Sequence, residues 1–267
     1  EEHKTKYSSE YVFGTPEGLK LAVNALYALQ RYYANDTENA TIFALERGTD
    51  LAVTNGGTGN FYGIYDPNYL KPSASQVGFM WRTMYQIIGK ANEIIAAAED
   101  LEDTPSLRAT VSEAKCFRAQ SYFLLYRTFD RIWLNIQPTT AENVNDPRDF
   151  HAASEKEVFD LIYEDLEYAI TNLDWVSDEA GRFTQAAARH MKAKAALWLK
   201  DWDTTLEQVE EIEKSGHFDL IALNEVFNAG DLNHKEALMV QQWSKNPGGN
   251  LSNATPKGNY YAAYFIA

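Results

Sequence analysis

Cysteine is almost absent: Cys116 is the single one in 267 residues. No intrachain disulfide can form, and metal sites built from several thiolates are excluded. Its neighbours Ala114, Phe117 and Ala119 follow an apolar helical pattern, so this thiol is expected to be inert core. Long apolar runs are missing as well; none approaches the ~18 residues of a membrane-spanning helix. Cations are in the minority, with 24 Lys and Arg against 38 Asp and Glu and a formal net charge of −14. That balance argues against a nucleic-acid partner, whose phosphates are gripped by clustered cations. It equally disfavours docking on anionic lipid through a basic patch. A neutral or weakly charged ligand fits better.

Signatures of catalysis are also lacking. The chain has no His-Glu-x-x-His, no Gly-x-x-x-x-Gly-Lys and no Gly-x-Ser-x-Gly. Gly56-Gly57-Thr58-Gly59 is followed by neither Lys-Ser nor Lys-Thr and reads as a loop. Five histidines (His3, His151, His190, His217 and His234) share no metal-ligand spacing, and His190 beside Lys194 reads as solvated or capping. Neither a cofactor nor a metal is expected. Carboxylates are abundant, so a pair suited to glycoside hydrolysis is not dismissed by counting. Glu164, Asp165 and Glu167, like Glu207, Glu210, Glu211 and Glu213, read as solvated helix faces.

What is present is helical periodicity. Thr15-Pro16 is a cap with proline at the first helical position, ahead of Leu19, Ala22, Val23 and Leu26, in a helix running to about Tyr33. Val77, Trp81, Met84, Ile88, Ala91, Ile95 and Ala98 form a sustained apolar seam. Thr104-Pro105 opens a helix that is apolar nearly all round and is expected to be central. Ser154-x-x-Glu157 is a capping box before Val158, Leu161, Ile162, Leu166, Ala169 and Leu173. Thr184 caps a helix bearing Ala188, Met191, Ala195 and Trp198, and Trp202, Leu206, Val209 and Ile212 begin another that stops at Gly216. The short link between those two forces them antiparallel. Ala187, Ala188, Ala193, Ala195 and Ala196 sit where paired helices would touch. The fold class expected is mainly all-α: tetratricopeptide-like helix pairs in a stack, with long irregular loops and a few short strands, of which Ala237–Gln241 is the best candidate. Residues 1–267 are expected to form one such domain.

Residues 35–75 make a connection far longer than the usual four to six or so residues, a length that tends to carry function or mobility. Asn55, Asn60, Phe61, Tyr62, Tyr65, Asp66 and Asn68 lie within it, and Asp50 and Asp66 flank its aromatic part. Aromatic faces suit the C–H sides of sugar rings, while amides and acids bond their hydroxyls. Two readings stand: the rings pin the loop to the helices, or they present a ligand platform. On the second, Asn60, Phe61, Tyr62, Tyr65 and Asp66 are the candidate glycan-binding residues. The end, from Ser244, closes on Tyr260, Tyr261, Tyr264 and Phe265, as expected of a piece of a longer protein.

Trp81-x-x-x-Tyr85-x-x-Ile88-x-x-x-Asn92-x-x-Ile95 resembles the second helix of the SusD/RagB family of outer-membrane nutrient-binding lipoproteins. The stretch Glu113 to Phe123, with Phe117, Arg118, Ala119 and Tyr122, is similar to the family's most recognisable segment. Asp165-Leu166, Gly181-Arg182-Phe183-Thr184, Lys194-Ala195, Asp201-Trp202 and Gly216-His217-Phe218 follow in family order. The resemblance implies a surface-exposed bacterial lipoprotein that captures oligosaccharides or polysaccharides, in some members peptides. It implies delivery to a SusC-like TonB-dependent transporter, with no chemistry performed. It also implies that Arg118 braces a buried acid or backbone carbonyls, and that Trp81 is core before it is a ligand platform. Three departures stand out. Phe129–Leu134 replaces the family's Gly and Pro, the lipid-bearing N-terminal Cys is absent from a chain opening at Glu1, and the family's C-terminal half is missing. A peptide-binding or protein-binding scaffold and a helical glycoside hydrolase are the alternatives.

Overall fold

The computed structural model describes residues 7–35, 75–140, 142–147, 150–226 and 233–241. Among these the chain forms α1 (Ser9–Gly14), α2 (Pro16–Asn35), α3 (Ser75–Ala98), α4 (Pro105–Thr128), α5 (Glu155–Asn172), α6 (Gln185–Leu199), α7 (Trp202–Lys214) and α8 (Leu223–Val226). From α1 to α7 the helices pack mainly on their sequence neighbours, as expected of a stack of helix pairs, and α4 also meets α2 and α6. No strand occurs among the described residues. Within Ala237–Gln241 only Val240 forms an isolated β-bridge. No described helix is long and apolar enough to cross a membrane.

Local chemistry fixes the helix starts. Thr15 Oγ1 accepts the Gly18 amide at 3.1 Å, Thr104 Oγ1 that of Leu107 at 3.2 Å, and Thr184 Oγ1 that of Ala187 at 3.2 Å. Each hydroxyl satisfies an amide that the first turn leaves without a carbonyl. The Ser154–Glu157 box is complete, with the Ser154 amide donating to Glu157 Oε2 at 2.8 Å. Hydrogen bonds from Ser154 hold the Glu157 carboxyl below its ordinary pKa. Between α6 and α7 only Lys200 and Asp201 intervene, Lys200 adopting φ 61° to turn the chain back. Gly216 takes φ 69° just past the end of α7, the left-handed conformation that favours glycine.

Packing explains the order of burial. α4 buries residues all round, including Leu107, Val111, Ala114, Cys116, Phe117, Tyr122 and Leu125, and is the centre of the core. Cys116 is fully buried, and desolvation pushes its thiol well above the ordinary value. Ala187, Ala188, Ala193, Ala195 and Ala196 are all buried, letting α6 sit close to its neighbours. On α3 the buried face is turned from the expected seam: Met80, Met84, Ile87, Ile88, Ala91 and Ile94 are buried, whereas Trp81 and Ile95 lie at its border.

The largest departure is at α6 and α7. Trp198 is 49% exposed and Trp202 57% exposed, and Leu206 and Val209 also face outward. α7 instead turns Gln208 and Ile212 inward, with Arg189 donating to Gln208 Oε1 at 2.8 Å. A polar residue occupies the buried side because an arginine on the facing helix supplies its partner. Trp198 and Trp202 are therefore not core rings.

Candidate functional site

The five residues expected to bind glycan, Asn60, Phe61, Tyr62, Tyr65 and Asp66, lie outside the described residues, as do Asp50, Gly56–Gly59 and the end from Ser244. Among the described residues the framework is built on one buried polar chain. Arg118 donates to Asp165 through Nε at 2.8 Å and Nη2 at 2.7 Å, and through Nη1 to Asn92 Oδ1 at 2.8 Å. Lys115 adds a third bond to Asp165 at 2.8 Å. Asp165 is fully buried and Arg118 is 4% exposed. Burial alone would depress the Arg118 pKa, but its bonds to Asp165 outweigh that and hold it raised.

The chain of bonds runs on to the segment after α4. Asn92 Nδ2 donates to the carbonyl of Asn135 at 2.7 Å. Tyr122 Oη donates to that same carbonyl at 2.9 Å and accepts the Asn135 amide at 2.7 Å. Tyr85 serves Trp133 in the same way, donating to its carbonyl and accepting its amide. Phe129 closes α4 with φ −121°, so the chain leaves the helix in extended form and needs no glycine there. Three side chains thus bond the backbone of Trp133 and Asn135 as a partner strand would, where the family's Gly and Pro are replaced.

The strap displays aromatic rings. Trp133 stacks with Tyr85 at 6.4 Å between centroids and meets Phe150 at 4.9 Å, while Trp81 contacts Tyr85 at 4.8 Å and the edge of Phe129 at 5.0 Å. Phe150 is 70% exposed and Trp81 and Trp133 are half-buried. Such a row can offer ring faces to a flat apolar partner. Sequence reasoning did not single out Trp133 or Phe150, since only the fold brings them beside α3.

A second feature is a cleft of about 240 Å³ bordered by α2, the loop before α6 and the 239–241 segment. At its base Tyr27 Oη donates to Glu113 Oε2 and accepts the Phe183 amide at 2.7 Å. Arg182 joins Glu113 at 2.9 Å and lies over the Tyr27 ring at 5.0 Å. Desolvation raises the Glu113 pKa, with Arg182 opposing it, and raises that of Tyr27 well above normal, with the Glu113 charge adding to it.

Two expectations are corrected. Asp165 is not on a solvated face; it shares the buried stripe with Ile162 and Ala169 and is ion-paired. His190 is neither solvated nor capping: it is half-buried, and its Nε2 is sealed from solvent without a partner. Desolvation lowers its pKa to about 4, with Lys194 contributing. No group of three or more His, Cys, Asp or Glu among the described residues could hold a metal ion.

Comparison with known proteins agrees with this framework. The SusD-like family model described as starch-binding and associating with the outer membrane matches residues 19–197. A SusD-like protein of Bacteroides ovatus is 26% identical over 212 residues, covering 70% of this chain and 38% of that protein. The chain spans about two-fifths of the length of the curated relatives it matches, 38% and 42% of two of them. Among solved structures, a SusD superfamily protein from Bacteroides vulgatus has a TM-score of 0.73 at 17% identity, covering 85% of this chain and 50% of that one. A laminarin-binding SusD-like protein has a TM-score of 0.72 at 23% identity, covering 84% and 50%. At those identities the structures establish the tetratricopeptide-like helical fold. With the family model spanning most of the helical stack, the chain belongs to the SusD-like family.

Proposed function

We propose that this protein captures oligosaccharides or polysaccharides at the bacterial cell surface and passes them, uncleaved, to a SusC-like TonB-dependent transporter of the outer membrane, held there by an N-terminal lipid. The observation that carries the reading is the match of residues 19–197 to a family described as starch-binding and outer-membrane-associated. The laminarin-binding neighbour and one solved with a xylogluco-oligosaccharide support a glycan as the ligand. Binding without hydrolysis is consistent with the described carboxylates nearest the core: Asp165 and Glu113 are each committed to cations. In this reading Phe61, Tyr62 and Tyr65 stack on sugar rings while Asn60 and Asp66 bond hydroxyls, and the Trp81–Trp133–Phe150 row stands as supporting apolar surface.

Calorimetry of the wild type and a Phe61→Ala/Tyr62→Ala/Tyr65→Ala variant against laminarin, xyloglucan and amylose oligosaccharides tests it. The variant is expected to lose tenfold or more in affinity at unchanged melting temperature. Equal affinity would remove the loop assignment, and no binding by the wild type to any glycan would remove the reading. A protein-binding scaffold is the second reading, favoured by the outward apolar stripe of Leu197, Trp198, Trp202, Leu206 and Val209. Capture of the barrel transporter with no glycan affinity would select it.

A further inference from the structure

We propose that the cleft between α2 and the loop before α6 is a subsite for the carboxylate of an acidic sugar, a uronate unit of the captured glycan. The proposal rests on the glycan-binding reading and specifies the chemistry of one part of the ligand.

The charges around the cleft are almost all matched internally. Glu113 is held by Arg182 at 2.9 Å and by the Tyr27 hydroxyl. Glu179 is held by Lys20 at 3.1 Å and by Arg182 at 3.7 Å. Arg31 is the exception: it lines the cleft half-buried and has no acid partner among the described residues. In a chain of formal net charge −14, one lining arginine without a carboxylate is a local excess of positive charge.

The open hydrogen-bonding groups point the same way. Asn24 commits Oδ1 to Arg182 at 2.5 Å, leaving its amide hydrogens open. Gln30 commits Nε2 to Gln120 at 2.8 Å, so its carbonyl oxygen remains an open acceptor. Arg31 and Asn24 thus present donors, and a ligand rich in acceptors satisfies them. A carboxylate matches the planar fork of an arginine with two parallel bonds. A sugar hydroxyl would find its place at the Gln30 oxygen. At about 240 Å³ the cleft is smaller than the roughly 300–1,000 Å³ of a drug-sized pocket, which suits one sugar ring of a longer chain. The net negative charge of the protein does not oppose this, because charges beyond about 8 Å are largely screened at physiological ionic strength.

The test is calorimetry on the full chain with trigalacturonate, neutral galactotriose and a sulfated galactose oligosaccharide, at low and high salt. Trigalacturonate is expected to bind at least tenfold more tightly than galactotriose and to weaken with salt. Arg31→Gln should reduce it to the neutral level at unchanged melting temperature, with Arg31→Lys recovering part of the loss. Equal binding of the acidic and neutral sugars, or an Arg31→Gln variant that binds trigalacturonate like the wild type, overturns the proposal. Arg31-dependent preference for the sulfated sugar overturns the carboxylate assignment in favour of sulfate. If neutral glycans bind and uronates do not, the subsite falls while glycan capture stands. If no glycan of any kind binds, glycan capture falls and the subsite with it.

Discussion

The hydroxyl of Tyr85 lies 2.8 Å from the carbonyl oxygen of Trp133 and 2.8 Å from its amide nitrogen. One side-chain atom therefore satisfies both backbone groups of a residue that pairs with no strand among the described residues. Tyr85→Phe keeps the ring and removes both bonds, at a cost of about 1–3 kcal/mol. Urea unfolding should show the loss with an unchanged m-value, and amide exchange at Trp133 should accelerate. Stability within about 0.5 kcal/mol of wild type would mean that water takes over both bonds.

Asp165 holds two cations in the core, so removing it alone leaves two buried positive charges. Asp165→Ala is expected to cost roughly 3–5 kcal/mol. Arg118→Met on that background should cost less than the two single losses added together, because the second change removes a charge the first left stranded. A double-mutant cycle by denaturant unfolding measures this, and simple additivity would contradict the network.

Two glycines separate backbone approach from helix propensity. A Cβ on Gly18 would lie 2.2 Å from the Tyr11 carbonyl oxygen and 2.6 Å from Val12 Cα, so Gly18→Ala must push α1 off α2. A Cβ on Gly89 in α3 meets nothing within 4 Å. Gly89→Ala should stabilise by about 0.5–1 kcal/mol, whereas Gly18→Ala should destabilise by about 1–3 kcal/mol. Thermal melts of the pair check the opposite signs.

His190 supplies a pH dependence. Its folded pKa of about 4 lies below the unfolded value near 6.5, so between the two the unfolded chain binds more protons. The stability it contributes is present above about pH 6.5 and is lost as pH falls toward 4, on the order of 2–3 kcal/mol. Comparing wild type with His190→Gln at pH 7 and pH 4 isolates this share. Parallel pH curves would show that the imidazole is not the group responsible.

Features decided within one turn of chain were readable in the sequence: the Thr15, Thr104 and Thr184 caps, the Ser154–Glu157 box and the Gly216 stop. The role of Arg118 as a brace also followed from the resemblance. Features decided by a distant partner were not. Asp165 meets Arg118 and Lys115 from about fifty positions away, and its place on the stripe of Ile162 and Ala169 was the signal that it is buried. Trp202, Leu206 and Val209 form a convincing apolar stripe, yet burial on α7 followed the arginine that pairs with Gln208. The Arg31 cleft left no local trace, since its walls come from three separate stretches of chain.

Asn92, Arg118, Tyr122 and Asp165, among the residues by which the chain is recognised, are buried and bonded to one another or to the backbone of Asn135. All four lie out of reach of a ligand at the surface. Kinship is therefore written in a sealed polar spine, which by itself says nothing of what the chain binds. Two members of this family could share every letter of the spine and still feed on different polymers.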